Sequence, residues 1–570
     1  MTHPATADNR WLILFLALAA LALGWDLGGN HLLDPDEGRN AEVAREMVVG
    51  HDYVVPHLDG LPYLDKPVLY FAAAAAAMQL IGPGELAARL PAYFATLATI
   101  GLVVWFARRR FGPAAGWLAG LALATMPMVL AYARTTIFDS TLSLCTTAAV
   151  IAFAEDHPVL AWAAIGAGGL TKGPIAILIP LAVVVPHAVL TGRPVRRLFP
   201  WRGLLVFALV AVPWFIAVTT RIPQFPYYAF VRETFQRFTT ASFHRTAPVW
   251  YYVPIIPVAA FPWIIPAASR LGGGRLRWAW EARRVNILAR DALLLACWVL
   301  GPLVFFTLNQ SKLPQYVLPL MPPFALAAAR HLSRDTPAPG WTVSVGSTAV
   351  LAAGLLFLPL LLPARIPLTP AEREAIPGVG RALAAVLVCA ATVVVIGVWR
   401  RQRTIVAAGY AAAVVALPFV TGPLLRAVGE DRSAAALADS VRGKGVVLAV
   451  AVYPPSLPFY LRRPIVVATA TARELTSNFI ADYAESLRAV PGSPLLPADA
   501  WRQRLAACPE PTVFVTRAGD RDTRTALAAL PQLFDDGHYA AYGPCAAGAP
   551  TRGSAIRHPH SAMGEGGVGK

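Results

Sequence analysis

Charged residues are scarce in this sequence. They make up 14% of the 570 residues, whereas 56% are hydrophobic, and a soluble chain would carry about 25% charged residues. A membrane span needs roughly 20 apolar residues, and the sequence contains many such runs. The scarcity of charge therefore excludes an ordinary soluble protein and predicts a mainly α, polytopic membrane protein.

Short cofactor motifs are also absent. The sequence contains no CxxC, HExxH, P-loop or dinucleotide fingerprint, so the usual local signals of nucleotide or zinc chemistry are missing. It has five cysteines. Three lie in apolar segments as packing residues, and Cys508 and Cys545 lie in the C-terminal part. In an oxidising compartment, these two are predicted to form a disulfide.

Acidic residues are outnumbered by basic ones, and the formal net charge is +16. The Lys and Arg residues are spread over short loops between apolar segments, where the positive-inside rule accounts for most of them. We therefore expect a lipid bilayer and no nucleic acid as partner.

Apolar runs bounded by charged or Pro/Gly-rich breaks predict thirteen spans. They lie near 11–27, 89–107, 113–132, 137–154, 158–170, 174–191, 203–220, 250–268, 290–308, 314–331, 341–363, 382–399 and 404–422. The Arg-rich loops lie on the side of the N-terminus if the short apolar run 68–82 does not cross, and they move to the outer side if it does. The sequence thus predicts that 68–82 is a juxtamembrane helix in a first outer loop, 28–88.

The chain divides into three predicted parts. Residues 1–425 form the transmembrane domain, 426–550 a small outer α/β domain, and 551–570 a disordered tail that is rich in Gly and polar residues. Within the α/β domain, the pattern predicts strands at 446–453, 464–470 and 512–516 and helices at 472–489 and 522–534.

A dense charge cluster, LLDPDEGRNAEVAREM at 32–47, follows the first apolar run. Asp34 is predicted as an N-cap, Pro35 as the first helical residue, and Glu37 as the partner in a capping box. Capping leaves Asp36 and Arg39 without a local structural role.

Further charges fall in outer loops within a few residues of a span, where they are costly unless paired, hydrated or bound to a ligand. One interpretation is that they pair with each other or extend to water. As a set, they also suit an anionic lipid headgroup, because Lys and Arg bind phosphate and a carboxylate serves as base or metal ligand. The set comprises Asp36, Arg39, Asp65, Lys66, Arg134, Asp139, Lys172, Arg237, Arg245 and Lys312.

Six motifs in order resemble those of the GT-C polyprenyl-phosphate-dependent glycosyltransferases, over about residues 10–330. Within that class the chain is most similar to glycosyltransferase family 39 and the bacterial lipid A 4-amino-4-deoxy-L-arabinose transferases. The motifs are DEGR with PYLDKPVLYF, ARLPA with RRRFG, RTTIFDS, LTKGP, HRTAPVWYYVP and SKLPQYVLP. The resemblance implies a GT-C fold with about 13 transmembrane helices, juxtamembrane helices in the first periplasmic loop and a periplasmic C-terminal domain.

The resemblance also implies roles for residues. Asp36 and Asp139 would be catalytic, and substrate would be bound by Arg39, Lys66, Lys172, Arg237, Lys312 and Tyr316. Asp65 is a candidate ligand for a divalent metal ion. Asp65 and Thr234 stand where the aminoarabinose transferases have Glu and His, which puts a zinc site in doubt, and His244 is a possible substitute ligand.

The function implied is transfer of a sugar from an undecaprenyl-phosphate donor to lipid A or another envelope acceptor. We expect a monomer in the bacterial inner membrane with its active site at the periplasmic face. Whether the acceptor is a phosphate or a hydroxyl stays open. A transporter or flippase is the rival from another class, but the halves show no repeat and the charges lie at span ends. A structural scaffold is a third alternative.

Overall fold

A computed structural model describes residues 4–236, 247–268, 277–333 apart from 279, 346, 348, 351–352, 354 and 369–545. Packing divides the chain into two compact units. One comprises Met1–Asp439, Pro454–Pro464 and Thr471–Pro494, and the other comprises Ser440–Tyr453, Ile465–Ala470 and Leu495–Lys570. The predicted domain 426–550 stays a prediction, and its residues are distributed over both units.

The first unit is helical. Its α-helices are Pro4–Gly24, Asp36–Gly50, Leu69–Ile81, Glu85–Phe111, Pro113–Ala124, Pro127–Ala133, Asp139–Ala154, Pro158–Lys172, Ile175–Thr191, Trp201–Arg221, Tyr252–Ala259, Ile264–Ala268, Ile287–Leu308, Met321–Leu332, Pro370–Trp399, Arg403–Asp431, Leu457–Leu461, Asn478–Asp482 and Ala484–Arg488. Shorter 3-10 or π segments are Val195–Leu198, Tyr227–Gln236, Val249–Tyr251, Pro314–Leu320 and Arg473–Leu475. All but one of the predicted spans coincide with a helix or a broken helix pair, and the exception, 341–363, lies mostly outside the described residues.

Five helices in the described part of the chain are long and apolar enough to cross a membrane, or six if one bent pair forms a single span. The bent pair is Pro113–Ala124 with Pro127–Ala133, whose axes differ by 67°. Pro127 explains the break, because proline has no N–H to continue the hydrogen bonds of the preceding helix. The chain is a multi-pass membrane protein, and the count of thirteen spans stays a prediction.

Small buried residues allow the central helices to approach closely. Ala115, Ala119 and Ala122 face the same core as Ala325 and Ala329, all fully buried. In lipid, where the hydrophobic effect between helices is lost, such small residues favour tight packing. The core of the first unit therefore depends on close contact between backbones.

The first loop contains two helices and a hairpin. Strands β1 (His57–Leu58) and β2 (Leu61–Pro62) pair antiparallel around Asp59 and Gly60, whose φ angles are 58° and 77°. A type I′ turn requires these positive values, which explains the Asp-Gly pair. Helix Leu69–Ile81 confirms a helix in the run 68–82, and its 13 residues are too few for a span.

The predicted capping box at Asp34 is wrong. The helix begins at Asp36 and has no side-chain cap. Asp34 instead accepts a hydrogen bond from the Ser456 hydroxyl at 2.8 Å. Gly38 permits this approach, because a Cβ at that position would lie 2.6 Å from the Ser456 backbone nitrogen. A contact with a distant residue has replaced the local cap.

The second unit is a six-stranded mixed sheet. Its strands are β3 (Val446–Val450), β4 (Val466–Ala468), β5 (Leu495–Leu496), β6 (Thr512–Arg517), β7 (Gln532–Asp535) and β8 (Tyr539–Tyr542), in the order β5-β4-β3-β6-β8-β7. Strands β3 to β6 pair parallel, whereas β8 is antiparallel to β6 and β7. The three predicted strands and the Cys508–Cys545 disulfide are confirmed. The predicted helix 522–534 is wrong at its end, where helix Arg521–Leu527 gives way to β7.

The environment of Asp34 predicts a pH-dependent stability. Burial raises the pKa of its carboxyl from 3.8 to about 8, and Oδ1 has no hydrogen-bond partner among the described residues. At a pH between these two pKa values, the Asp34 carboxyl has released its proton in the unfolded chain but retains it in the folded chain. The folded state therefore becomes less stable as pH rises through this range. Asp34→Asn resembles the neutral carboxyl and does not titrate. Its thermal midpoint should therefore fall less than that of wild type between about pH 5 and about pH 8.

The matched control for Asp34→Asn is Asp156→Asn, because the Asp156 side chain is 76% exposed. The thermal midpoint of this control should fall as much as that of wild type between about pH 5 and about pH 8. Equal falls in the midpoint for wild type and Asp34→Asn would contradict a protonated Asp34.

Candidate functional site

A polar pocket lies where the first loop meets the ends of several helices. Asp36 and Arg39 come from the first turn of the helix Asp36–Gly50, and Asp65 and Lys66 follow the β1–β2 hairpin. Asp139 opens one helix and Lys172 ends another. The residues lining the pocket include Asp36, Arg39, Asn40, Tyr63, Asp65, Lys66, Asp139, Lys172, Gln315, Tyr316, Thr476 and Asn478.

Each of three cations in the pocket pairs with a carboxylate. The Arg39 guanidinium lies 2.5 Å from Asp36, and the Lys66 ammonium lies 3.3 Å from Glu233. The Lys172 ammonium lies 2.6 Å from Asp139 and 4.8 Å from the centre of the Tyr316 ring. These pairs hold the positive charges in place without any ligand.

Exposure distinguishes the carboxylates of these pairs. The Asp36 side chain is 50% exposed, whereas Asp139 is 3% and Glu233 is 9% exposed. A bound molecule therefore reaches Asp36 most easily. Asp139 and Glu233 are placed to orient Lys172 and Lys66.

An apolar cavity of about 450 Å³ adjoins the polar pocket. The two share Asp65, Lys66, Asp139, Lys172 and Tyr316. Away from these residues the cavity is lined mainly by apolar side chains, among them Ile175, Leu178, Phe215, Phe225, Phe230, Phe305 and Phe306. Such a combination suits a molecule with a long hydrocarbon chain and an anionic head.

Asp65 is held by a network that reaches far along the sequence. Its carboxylate accepts hydrogen bonds from the Tyr228 hydroxyl and from the backbone N–H groups of Asn478 and Phe479 at 3.0 and 2.9 Å. The Asn478 amide also donates to Glu233 at 2.7 Å. Burial and the negative charge of Glu233 raise the pKa of Asp65 above its ordinary value. The segment Thr471–Pro494 is therefore part of the wall of the site.

A second contact from the same segment orients Arg39. Its guanidinium donates to the Thr476 hydroxyl at 2.8 Å and to the Thr476 carbonyl at 3.2 Å. Since Arg39 also bonds to Asp36, Thr476 and Asp36 together determine where the guanidinium points.

The described residues around Asp65 do not fit a divalent metal. Both oxygens of Asp65 already accept hydrogen bonds, and the Thr234 hydroxyl donates to the carbonyl of Ala229 at 2.7 Å. In the described ranges there is no cluster of three His, Cys, Asp or Glu side chains suited to a metal ion. His244 lies outside the described residues.

Most of the site residues predicted from the sequence come together. Asp36, Arg39, Asp65, Lys66, Asp139, Lys172 and Tyr316 all line the polar pocket. Lys312 does not line it, and its ammonium donates to the Asn309 carbonyl at 2.6 Å. Arg237 lies outside the described residues, so its binding role, like that of Lys312, stays a prediction.

Four residues of the network were not predicted as site residues. Glu233 directly precedes Thr234, which stands where the aminoarabinose transferases have His, and this neighbourhood is a signal that could have identified it. Tyr228, Thr476 and Asn478 carry no recognisable motif, and only the folded chain reveals their contacts.

Comparison with known proteins first identifies the class of fold to which the chain belongs. A family model described as dolichyl-phosphate-mannose-protein mannosyltransferase matches residues 65–216. The crystal structure of ArnT from Cupriavidus metallidurans bound to undecaprenyl phosphate superposes with a TM-score of 0.79 at 27% identity. That match covers 95% of this chain and 99% of the other. The apo structure of the same enzyme gives 0.78 at 28% identity. The chain therefore has the GT-C fold of membrane glycosyltransferases.

The particular resemblance is to one group of these proteins. The chain is 33% identical over 342 residues to the undecaprenyl phosphate-alpha-4-amino-4-deoxy-L-arabinose arabinosyl transferase of Serratia proteamaculans, covering 57% of this chain and 59% of that protein. Its counterpart from Pectobacterium carotovorum is 31% identical over 376 residues, 61% of this chain and 66% of that protein. The chain thus spans less than two thirds of the length of these relatives. The resemblance inferred from the sequence is confirmed.

The Asn478–Glu233 hydrogen bond predicts measurable coupling. Asn478→Ala leaves a buried carboxylate oxygen without this donor, which should cost about 1–3 kcal/mol. A double-mutant cycle with Glu233→Ala, which removes the acceptor, isolates the pair, and we expect a coupling of about 1 kcal/mol between the two changes. The readout is the thermal unfolding of the purified full-length protein.

Ser486→Ala serves as control for this cycle, because Ser486 is exposed and bonds only locally, to the Tyr483 carbonyl. It should leave the midpoint unchanged. Additive effects of Asn478→Ala and Glu233→Ala would show that the bond does not hold the segment to the site.

Proposed function

We propose that this protein is a glycosyltransferase that moves 4-amino-4-deoxy-L-arabinose from undecaprenyl phosphate to lipid A or another acceptor at the periplasmic face of a bacterial inner membrane. The observation that carries the proposal is the junction of the apolar cavity with the polar pocket. A polyprenyl chain fits the apolar side, and a sugar phosphate fits the charged side. The names of the relatives, and the undecaprenyl phosphate bound to ArnT, support this choice of donor.

In this mechanism the donor phosphate binds at Lys66 and Arg39. As the bond between the sugar C1 and the phosphate oxygen breaks, the phosphate retains the electron pair and becomes the leaving group. Cations that are already oriented stabilise this charge without reorganising. Glu233 and Thr476 supply that orientation, because they hold Lys66 and Arg39 in place.

Asp36 acts on the other side of the sugar. An acceptor hydroxyl must lose a proton as its oxygen bonds to C1, and the Asp36 carboxylate then takes that proton. An acceptor phosphate is already anionic and has no proton to lose. Asp36 then stabilises the positive charge that develops on the sugar ring.

Substitutions at Asp36 and Lys66 separate these two roles. Asp36→Asn retains the size of the side chain but removes its charge, so turnover should fall at least about a hundredfold while donor binding stays near normal. Lys66→Ala removes a cation from the phosphate and should weaken donor binding about tenfold or more. The measurements are sugar transfer in a purified assay and binding of undecaprenyl phosphate.

Asp52→Asn is the matched control for Asp36→Asn, because Asp52 is a first-loop carboxylate that pairs with Arg221 and lines neither the apolar cavity nor the polar pocket. It should retain wild-type transfer. Near-normal transfer by Asp36→Asn would refute the catalytic assignment of Asp36.

The proposed orientation predicts a topology. Reporter fusions after residues 60 and 440 should report the periplasm, and fusions after residues 110 and 335 the cytoplasm, because the Arg-rich loops stay inside. A cytoplasmic signal at residue 440 would contradict a periplasmic site.

A further inference from the structure

A group of arginines precedes the helix Trp201–Arg221. The basic loop, residues 191–202, has the sequence TGRPVRRLFPWR and runs into the first turn of this helix, with four arginines and no acidic residue. Arg196, Arg197 and Arg202 are exposed, and none of them lines the apolar cavity or the polar pocket of the proposed donor site. The basic loop therefore carries positive charge that the proposed reaction does not use.

Ion pairing leaves most of this charge without compensation. Arg193 pairs with Asp156 at 3.2 Å. Among the described residues, the other three arginines of the basic loop have no carboxylate within ion-pair distance. Loops of this kind are often basic in membrane proteins, but a cluster of cations beside hydrocarbon is stabilised by a counter-charge. A bound anion would supply that counter-charge.

Packing against a buried tryptophan fixes the backbone of the basic loop. The Trp162 indole N–H donates to the Leu198 carbonyl at 2.8 Å, and the ring centres of Trp162 and Phe199 lie 5.7 Å apart. Gly203 permits this contact, because a Cβ at that position would lie 2.7 Å from Trp162 Cδ1. The arginines on either side of Leu198 and Phe199 are therefore presented from a backbone of defined position.

A fourth exposed arginine reaches the basic loop from another part of the chain. Gly192 has a φ angle of 73°, in the left-handed region that favours glycine, and a Cβ built there would lie 3.7 Å from Nε of Arg284. Arg284 is exposed, and it also has no carboxylate within ion-pair distance in the part of the chain that the structure describes. Basic groups from two separate loops therefore meet here.

The start of the helix Trp201–Arg221 adds to the attraction for an anion. No side chain caps its N-terminus. The first N–H groups of a helix have no partner within it, and together with the helix dipole they favour a negative charge. Trp201 is 68% exposed, and the Arg202 guanidinium lies 5.5 Å from the centre of its ring. Tryptophan is enriched in this way at the level of lipid headgroups.

The remainder of the helix Trp201–Arg221 presents hydrocarbon to its surroundings. All of its 21 residues are described, and the buried ones form a narrow stripe of Gly203, Ala211, Trp214 and Val218. Large apolar side chains on the rest of its surface are exposed, among them Leu204, Leu205, Leu209 and Ile216. The helix is long and apolar enough to cross a membrane, so in a bilayer this exposed surface meets acyl chains.

We propose that the basic loop binds an anionic phospholipid, whose phosphate contacts Arg196, Arg197 and Arg202 and whose acyl chains lie along the helix that follows. Charge complementarity selects this lipid, because guanidinium groups bind phosphate through paired hydrogen bonds and basic pockets at membrane helices bind anionic headgroups. A zwitterionic lipid would place its ammonium group beside the same arginines. The site is separate from the proposed donor site and takes no part in sugar transfer.

The test measures lipid binding by the purified full-length protein in detergent. Phosphatidylglycerol and phosphatidylcholine with identical acyl chains are titrated, and native mass spectrometry counts the bound lipids. Wild type should bind phosphatidylglycerol about tenfold more tightly or better. Combining Arg196→Gln with Arg197→Gln should weaken phosphatidylglycerol binding about tenfold or more, since each arginine near an anionic headgroup contributes a factor of about five. Binding of phosphatidylcholine should stay unchanged.

Two controls accompany this double variant. Arg517→Gln with Arg521→Gln removes the same charge from two exposed arginines of the second unit, and it should bind phosphatidylglycerol as wild type does. Lys66→Ala alters the proposed donor site and should also leave this binding unchanged. Without lipid, the Arg196→Gln and Arg197→Gln double variant should retain the wild-type thermal midpoint, because both side chains are exposed.

Four results would each overturn the proposal, and none of them depends on sugar transfer. The first is equal binding of phosphatidylglycerol by wild type and by the double variant of the basic loop. The second is loss of this binding in Lys66→Ala alone, which assigns the lipid to the donor site. The third is a two-chain mass in wild type that the double variant reduces to one chain, because the arginines then face a second copy. The fourth is full competition by inorganic phosphate at the concentration of the lipid, which assigns the arginines to a free anion.

Discussion

The buried ion pair between Glu37 and Arg89 determines the arrangement of the first loop. Arg89 bonds to both oxygens of Glu37 and donates to the carbonyls of residues 27, 30 and 31. Glu37 in turn accepts from the backbone N–H groups of Leu33 and Thr136. With both side chains at least 96% buried, removal of either partner would leave a charge without compensation, a change that typically costs about 3–5 kcal/mol. Asp36 directly precedes Glu37, and Asp139 closely follows Thr136, whose backbone N–H donates to Glu37, so the pair helps to position both carboxylates.

Ion pairing in the polar pocket has a consequence for substrate binding. Arg39, Lys66 and Lys172 each hold a carboxylate, so a phosphate must share or displace an acidic partner. Asp36 is the partner most open to solvent, so in the proposed mechanism the phosphate shares Arg39 with Asp36 while Thr476 keeps the guanidinium in place. In that mechanism, the Arg39–Asp36 ion pair links the donor site to the proposed catalytic carboxylate.

Prediction from the sequence succeeded where physical rules act locally. Hydrophobic runs identified most of the longer helices of the first unit, and short motifs identified seven of the residues that line the polar pocket. It failed where a distant residue competes with a local rule. Asp34 has the sequence context of an N-cap, yet its carboxyl group accepts a hydrogen bond from Ser456. The C-terminal end of the predicted helix 522–534 is wrong because strand pairing with β8 outcompetes helix propensity. The divalent metal ion considered at Asp65 stays a prediction, and what the structure adds there is that Tyr228, Asn478 and Phe479 donate hydrogen bonds to both Asp65 oxygens.

The sequence alone determined that the chain is a membrane protein and pointed to seven of the residues that line the polar pocket, because hydropathy and motif spacing are properties of neighbouring residues. Only the tertiary structure decided how Asp65 and Arg39 are held, since Asn478 and Thr476 lie more than 400 residues away along the chain. It also decided that Arg284 lies beside the basic loop, although the two are distant in the sequence. Hydrogen bonds and ion pairs depend on distances of a few ångströms, and packing, rather than sequence separation, determines those distances.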